Sequence, residues 1–310
     1  MTFSASQTIR GHEDAVVCCC FSPDGKRILT GSCDKTLKLW LATDGTLLQT
    51  LSGHEGWVVC CCFSPDGKRI LTGSCGKMKL WLATDGTLLQ TLSGHEHAVS
   101  RCCFSPDGKR ILSGSADKTL KLWLATDGTL LQTLNGHEDS VVCCCFSPDG
   151  KRILTGSCDK TLKLWLATDG TLLQTLSGHE GWVSCCCFSP DGKRILSGSY
   201  DKTLKLWLAT DGTLLQTLSG HEHAFYCCCF SPDGKRILSG SADKTLKLWL
   251  ATDGTLLQTL NGHEDSVVCC CFSPDGKRIL TGSLGTRVGF LVVASLQTGR
   301  GFFLVQPTRL

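Results

Sequence analysis

The chain has 310 residues, of which 19% are charged and 42% are apolar, and its formal net charge is only +3. These values exclude a collagen-like chain, a long coiled coil and a disordered chain. The small net charge also excludes a strongly basic or acidic tail, and the length fits one large domain or two ordinary ones.

Residues 1–7 lack the basic segment and the apolar core of a secretory signal. No uninterrupted run of 18 apolar residues follows, so the sequence predicts no transmembrane helix. We therefore expect a protein of the cytoplasm, or alternatively of the nucleus, that is not secreted and has no membrane partner.

The 23 cysteines occur mostly in runs, such as residues 18–20 and 143–145. Consecutive residues on a strand point to opposite faces, so a run cannot chelate a metal from one side. The spacing of zinc sites is also missing. The sequence predicts free thiols that act as small buried apolar residues, with no metal site and no cofactor.

A repeat of about 42 residues organises the chain. Gly-His-Glu recurs seven times with spacings of 41 or 42 residues, at His12, His54, His95, His137, His179, His221 and His263. In the first copy it is followed by Phe-Ser-Pro-Asp-Gly-Lys-Arg at residues 21–27 and by Lys-Leu-Trp at residues 38–40. Close copies at three-repeat intervals indicate that a unit of three repeats was duplicated.

Each repeat predicts four short strands, which in the first copy cover residues 16–21, 27–32, 36–42 and 46–51. The Ser-Pro-Asp-Gly segment between the first two predicts a tight turn. One such sheet cannot bury both of its faces, whereas seven arranged radially bury one another.

The Gly-His start, the Trp of the third strand and the period resemble the WD40-repeat family over about residues 2–294. The resemblance implies an all-β, seven-bladed propeller of four-stranded antiparallel blades. We expect blades to start near residues 11, 53, 94, 136, 178, 220 and 262. Residues 2–10 are expected to close the ring as the outer strand of the last blade, and residues 295–310 to form a degenerate tail.

The chain departs from the family pattern in three ways. Leu follows Trp where the family has Asp, as at Leu41. The second repeat is one residue short and lacks the turn Asp. The seventh has Gly285 for that Asp and Leu291 for Trp, with a third strand expected at residues 288–292.

The resemblance also implies a buried hydrogen-bonded chain in each blade, which joins the His, a Ser or Thr of the second strand, the turn Asp and the Trp. We interpret these residues as structural rather than catalytic, because they recur in every regular repeat. Thr30 fits the second position better than Ser32, which lies on the same face. The five sets are His12, Thr30, Asp34, Trp40; His95, Ser113, Asp117, Trp123; His137, Thr155, Asp159, Trp165; His179, Ser197, Asp201, Trp207; and His221, Ser239, Asp243, Trp249.

Differences between the copies concentrate at the end of the ring formed by the Gly-His loops and the turns after the second strand. We interpret this end as a face that binds peptide or protein partners, since Trp, Tyr and Arg dominate interface hot spots. For Trp57 and Trp182, capping of the core between blades is the alternative. The candidate partner-binding residues are Trp182, Tyr200, Tyr226, His223, Trp57, His97 and Arg101.

Charges refine this prediction. One Glu per Gly-His-Glu motif, from Glu13 to Glu264, forms an acidic ring at the variable end and mildly favours a basic partner. One Lys-Arg pair per repeat lies at the other end, first at residues 26–27. Without interleaved aromatic residues we interpret the pairs as solvated hairpin flanks rather than a nucleic-acid site.

The sequence thus predicts a monomeric, non-catalytic scaffold for protein or peptide partners. Two alternatives remain open. One is a metal-binding or enzymatic propeller that uses its thiol-rich central channel, and the other is a repeat array with no evolved partner.

Overall fold

A computed structural model describes the backbone of residues 2–285 and 291–297, and the side chains of residues 8–285. Every regular element in this part of the chain is a β-strand, so none of its segments is a helix that could cross a membrane. The strands are β1 (Thr2–Ile9), β2 (Val16–Phe21), β3 (Arg27–Ser32), β4 (Leu37–Leu41), β5 (Leu47–Leu51), β6 (Cys60–Phe63), β7 (Arg69–Gly73), β8 (Lys77–Leu82), β9 (Leu88–Ser93), β10 (Val99–Phe104), β11 (Arg110–Ser115), β12 (Leu120–Leu124), β13 (Leu130–Leu134), β14 (Val141–Phe146), β15 (Arg152–Ser157), β16 (Leu162–Leu166), β17 (Leu172–Leu176), β18 (Val183–Phe188), β19 (Arg194–Ser199), β20 (Thr203–Leu208), β21 (Leu214–Ser219), β22 (Phe225–Phe230), β23 (Arg236–Ser241), β24 (Leu246–Leu250), β25 (Leu256–Leu260), β26 (Val267–Phe272), β27 (Arg278–Ser283) and β28 (Leu291–Gln297).

Six blades are complete, and each is an antiparallel sheet of four consecutive strands, from β2–β5 through β22–β25. The first strands of neighbouring repeats contact one another around the centre, and β26 of the seventh repeat contacts β2 of the first. These inner strands therefore line a central channel, and the fourth strands lie at the outside.

The expectation of seven equivalent blades closed by the N-terminal strand is wrong. The seventh repeat supplies only two strands in the pattern of the others, β26 and β27. Backbone pairing extends this pair to β28 and then to β1, but β28 does not pair in the register of a third strand.

The offset of β28 gives the physical reason. Gly31 pairs with Leu37 six positions later, whereas Gly282 pairs with Leu291 nine positions later. As a result Ala294 lies opposite Ile279, where the other blades place Trp opposite Ile. Leu291 therefore does not take the position of the tryptophan, and residues 288 and 290 of the expected strand lie outside the described residues.

Local chemistry fixes the hairpin between the first and second strands. In the first blade the Ser22 hydroxyl donates to Asp24 Oδ1 at 2.5 Å, and the backbone N–H of Lys26 donates to the same oxygen at 3.0 Å. Gly25 closes the turn with a φ of 68°, which a residue without a Cβ adopts at little cost. The Pro-Asp-Gly segment is therefore a rigid corner.

The core lies between blades. Leu29, Leu37 and Leu39 of the first blade pack against Val58 and other apolar residues of the second, and the three leucines and Val58 are at most 3% exposed. Full burial of one such side chain contributes about 2 kcal/mol. Gly31 lets the blades approach, because a Cβ there would lie 2.6 Å from Cys18 Sγ and 2.8 Å from Val58 Cγ1.

The arginine of each Lys-Arg pair also joins neighbouring blades, which corrects its interpretation as a solvated flank. Arg27 donates to the carbonyl oxygens of Ala83 at 2.9 Å and Gly67 at 3.0 Å, and its guanidinium lies 5.3 Å from the centroid of Phe63. Its stem is half-buried, while Lys26 remains exposed. The arginine of the pair thus makes a contact between blades, whereas the lysine faces solvent.

Candidate functional site

A buried hydrogen-bonded chain joins two strands and two loops in the first blade. His12 lies with Nδ1 2.8 Å from Asp34 Oδ2 and Nε2 2.7 Å from Thr30 Oγ1, and Trp40 Nε1 donates to Thr30 Oγ1 at 2.9 Å. The carboxylate can only accept, so Nδ1 carries the imidazole proton, and Nε2 accepts from the Thr30 hydroxyl. Thr30 is thus the member of the chain, while Ser32 donates to the carbonyl of Asp14.

The same three contacts recur in four further blades. The His to Ser or Thr distance is 2.7–3.0 Å, the His to Asp distance is 2.6–2.7 Å, and the Trp donates at 2.9–3.0 Å. The sets are His95, Ser113, Asp117, Trp123; His137, Thr155, Asp159, Trp165; His179, Ser197, Asp201, Trp207; and His221, Ser239, Asp243, Trp249.

Sequence reasoning missed a fifth member of the chain. Thr36 Oγ1 donates to Asp34 Oδ1 at 2.6 Å and lies 3.3 Å from His12 Nδ1. A threonine occurs two residues after the turn Asp in each regular repeat, and this recurrence was the sequence signal for its role. The Asp34 carboxylate also accepts from the backbone N–H of Glu13 at 3.0 Å, so the chain fixes the Gly-His loop to the turn.

The second and seventh repeats keep only part of the chain. His54 lies 2.7 Å from Thr72 Oγ1, and His263 lies 2.9 Å from Thr281 Oγ1, but neither has a turn aspartate as partner among the described residues. Burial lowers the pKa of both imidazoles to about 4. In the third blade, burial opposes ionisation of Asp117, yet hydrogen bonds from Thr119 and His95 lower the pKa of its carboxyl to about 2.

Three of the candidate partner-binding residues form one aromatic cluster. The ring centroids of Trp182 and Tyr200 lie 5.3 Å apart, and those of Tyr200 and Tyr226 lie 5.7 Å apart with nearly perpendicular planes. Trp182 is 49% exposed and Tyr200 is 41% exposed, which contradicts the capping alternative for Trp182. The backbone N–H of Tyr200 donates to the carbonyl of Trp182 at 2.9 Å, which fixes the pair.

The other candidates do not join this cluster. Trp57 is 61% exposed on the second blade, so it does not cap the core either. His97 and His223 are exposed on loops of the third and sixth repeats, and Arg101 lines the central channel. The structure thus brings together the aromatic residues of the fifth and sixth repeats and leaves the rest spread around the ring.

The acidic ring is exposed along this end. Glu13, Glu55, Glu96, Glu138, Glu180, Glu222 and Glu264 all have exposed side chains. Lys77 Nζ lies 3.7 Å from Glu55 Oε1, and both side chains remain at least half exposed. The aromatic cluster of Trp182, Tyr200 and Tyr226 therefore lies at an end of the ring that also carries exposed glutamates.

Most of the thiols lie on the inner strands, and Cys33, Cys75 and Cys158 lie in turns. All 23 cysteines are free, and neighbouring inner strands bring sulfurs together, as between Cys143 and Cys186 at 3.1 Å. Burial raises the pKa of the Cys143 thiol. Within the described residues, no three His, Cys, Asp or Glu side chains converge as metal ligands do.

Comparison with known proteins agrees with this geometry. The family model described as "WD domain, G-beta repeat" matches residues 3–40, 45–81, 86–123, 128–165, 170–207, 212–249 and 254–288. The matches cover most of the chain and include all seven Gly-His motifs.

Two curated relatives match over single repeats. A Notchless protein homolog of Arabidopsis thaliana is 60% identical over 35 residues, which are 11% of this chain and 7% of that protein. The vegetative incompatibility protein HET-E-1 of Podospora anserina is 51% identical over 43 residues, which are 14% of this chain and 3% of that protein. The matches span only a small part of either relative.

Proposed function

Because the chain belongs to the WD40 repeat family, we propose that it is a non-catalytic scaffold that binds protein or peptide partners through the end of the ring bearing the Gly-His loops. The aromatic cluster of Trp182, Tyr200 and Tyr226 carries this proposal. Exposed tryptophan and tyrosine are the side chains that most often dominate binding energy at protein interfaces.

Rigidity supports the same role. The hydrogen-bonded chains hold the Gly-His loops to the neighbouring turns, so the exposed rings have little freedom to lose when a partner binds. The chains themselves are buried, and their histidines have fixed partners. They support the surface and offer no accessible nucleophile with a base.

The exposed glutamates favour a partner with basic residues around an apolar or aromatic centre. Charges at the rim of an interface mainly affect the rate of association and its salt dependence. We therefore propose a basic peptide segment as the ligand, bound by a monomer. The free thiols are consistent with a reducing compartment such as the cytoplasm.

The test compares partner capture by the full chain and by variants under reducing conditions, with bound proteins identified by mass spectrometry. The Trp182→Ala/Tyr200→Ala/Tyr226→Ala variant should lose its specific partners by at least about tenfold, since each hot-spot side chain contributes about 2 kcal/mol or more. Trp57→Ala is the matched control, because it removes an exposed tryptophan at the equivalent place in the second repeat.

Retention of the same partners by the triple variant, at unchanged melting temperature, would contradict the proposed surface. Loss from both variants would place the binding site around the whole ring. Capture that weakens with added salt would support the basic ligand, and salt-independent capture would contradict it.

A further inference from the structure

A small cavity opens in the central channel at the level where the inner strands begin. It has a volume of about 190 Å³. The second residue of six inner strands and Val59, which occupies the same place in the second repeat just before β6, line it, and cysteines of the next two positions complete most of the wall. The seven residues at the second position are Val17, Val59, Ser100, Val142, Ser184, Tyr226 and Val268.

Arg101 supplies the charge in this cavity. It occupies the third position of β10, where each of the other six repeats has a cysteine. Its side chain is exposed to the channel, and no hydrogen bond or ion pair to its guanidinium occurs within the described part of the chain. The lining residues include no aspartate or glutamate, so nothing in the described wall balances the charge.

Four of the residues that line the cavity differ from the residue that most repeats have at the same position. Valine or cysteine occupies every lining position except four, which hold Ser100, Arg101, Ser184 and Tyr226. They surround the same cavity, although they belong to the third, fifth and sixth repeats.

The hydroxyl groups differ in what they can donate. Ser184 already donates to the carbonyl of Phe225 at 2.6 Å. Ser100 has no hydrogen-bond partner among the described residues, so its hydroxyl is free to donate into the cavity. Ser100 and Arg101 both line the cavity, and the register of β10 shifts between Val99 and Arg101. A guanidinium and a hydroxyl without partners in one cavity suit a planar or tetrahedral oxyanion, which guanidinium groups bind with two parallel hydrogen bonds.

We propose that this cavity is a binding site for the phosphate or carboxylate group of a small molecule, with Arg101 as the main ligand-binding residue and Ser100 as a second donor. The volume limits the ligand to a few heavy atoms beyond the charged group, since pockets for drug-sized ligands start at about 300 Å³. The cavity shares Tyr226 with the aromatic cluster, but Arg101 and Ser100 lie outside that cluster, so a test at Arg101 is independent of the proposed partner surface.

Calorimetric titration of the full chain tests the proposal, with sodium phosphate and sodium acetate as separate probes at constant chloride and with a thiol reductant. We expect saturable binding of one probe at a single site. Arg101→Cys should weaken it by at least about tenfold, because hydrogen bonds to a charged group are worth about 1.5–3 kcal/mol. This variant restores the residue of the other six repeats and should fold. Arg101→Lys should retain part of the affinity.

Lys109→Ala is the control, because it removes one exposed cation from the same repeat outside the cavity. Phosphate binding that depends on Arg101 would identify a phosphate site, and acetate binding that depends on Arg101 a carboxylate site. The proposal is overturned if neither anion binds at up to about 10 mM, if Arg101→Cys binds as the natural chain does, or if Lys109→Ala weakens binding equally.

Discussion

Arg278 Nη2 donates a hydrogen bond of 2.8 Å to the carbonyl oxygen of Gly25, which lies 253 residues earlier in the chain. Nη1 donates to the carbonyl of Ala42 at 2.7 Å, and the guanidinium lies 5.2 Å from the centroid of Phe21. The equivalent arginines of the other repeats join consecutive blades, whereas Arg278 joins the last described hairpin to the first blade. The ring is therefore closed by the same contact that holds its other blades together.

Arg278→Ala should destabilise the ring more than Arg236→Ala does. Within the described residues, Arg236 has one such bond, of 3.4 Å to Gly276, and its buried Nη1 has no partner. We expect a loss of about 2–3 kcal/mol for Arg278→Ala and about 1 kcal/mol for Arg236→Ala. Differential scanning calorimetry should show a larger drop in melting temperature for the first variant, and equal drops would argue against closure by this contact.

The hydroxyl group of Thr30 should contribute more to the free energy of unfolding than its methyl group does. Thr30→Val keeps the shape of the side chain but leaves the buried His12 Nε2 and Trp40 Nε1 without a partner, which should cost about 2–4 kcal/mol. Thr30→Ser is the control, because serine occupies this place at Ser113, Ser197 and Ser239. It should change the free energy of unfolding by less than about 1 kcal/mol. Urea unfolding measures both, and similar losses would show that packing, not hydrogen bonding, matters here.

The histidines without an aspartate partner should make the protein sensitive to mild acid. His54 and His263 have pKa values of about 4 in the folded chain and about 6.5 when unfolded. Between these values the unfolded chain binds more protons, so stability rises with pH and is lost as the pH falls from about 6.5 to 4. The lowered pKa corresponds to at most roughly 3 kcal/mol for each histidine.

Urea unfolding at several pH values between 7 and 4 tests this effect. His54→Gln should show a flatter dependence of the unfolding free energy on pH than the natural chain. His97→Gln, at an exposed position, serves as the control. Parallel curves for the natural chain and His54→Gln would contradict the assignment.

The repeat made much of the fold predictable. Each regular copy carries its own turn signals and its own His, Thr or Ser, Asp and Trp, so contacts within a blade follow from one repeat. The role of Arg27 was not predictable in this way, because its contacts cross from one blade to the next. Its partners Gly67 and Ala83 lie in the next blade. A charged residue after a turn usually faces solvent, and the sequence of one repeat does not show that the next blade offers it two carbonyl oxygens.

The last repeat was the least predictable part of the fold. The composition of residues 288–292 suggests a strand, but composition does not fix register. The pairing of Gly282 with Leu291 sets which residues face which neighbours, and a shift in register changes the face of every side chain. The aromatic cluster could be proposed from differences between copies, yet the contact of Tyr200 with both Trp182 and Tyr226 needed the angle between blades.

Native-state alkylation should distinguish one cysteine from the others. Cys75 is exposed because the turn in the second repeat is one residue short, whereas Cys33 and Cys158 in the regular turns are half-buried. Burial raises the pKa of these two thiols and of Cys18 in the inner wall, which lowers the fraction of reactive thiolate at neutral pH.

Iodoacetamide at neutral pH should therefore give one rapid adduct per chain, located at Cys75 by peptide mass spectrometry. The Cys75→Ser variant should lose this rapid phase and keep its melting temperature. Fully buried inner-strand cysteines such as Cys18 should react only when urea unfolds the ring, because neighbouring blades cover them. Rapid labelling of Cys18 or Cys143 in the native chain would mean that the inner strands separate readily, and the thiols could then not serve as the packed wall of the channel.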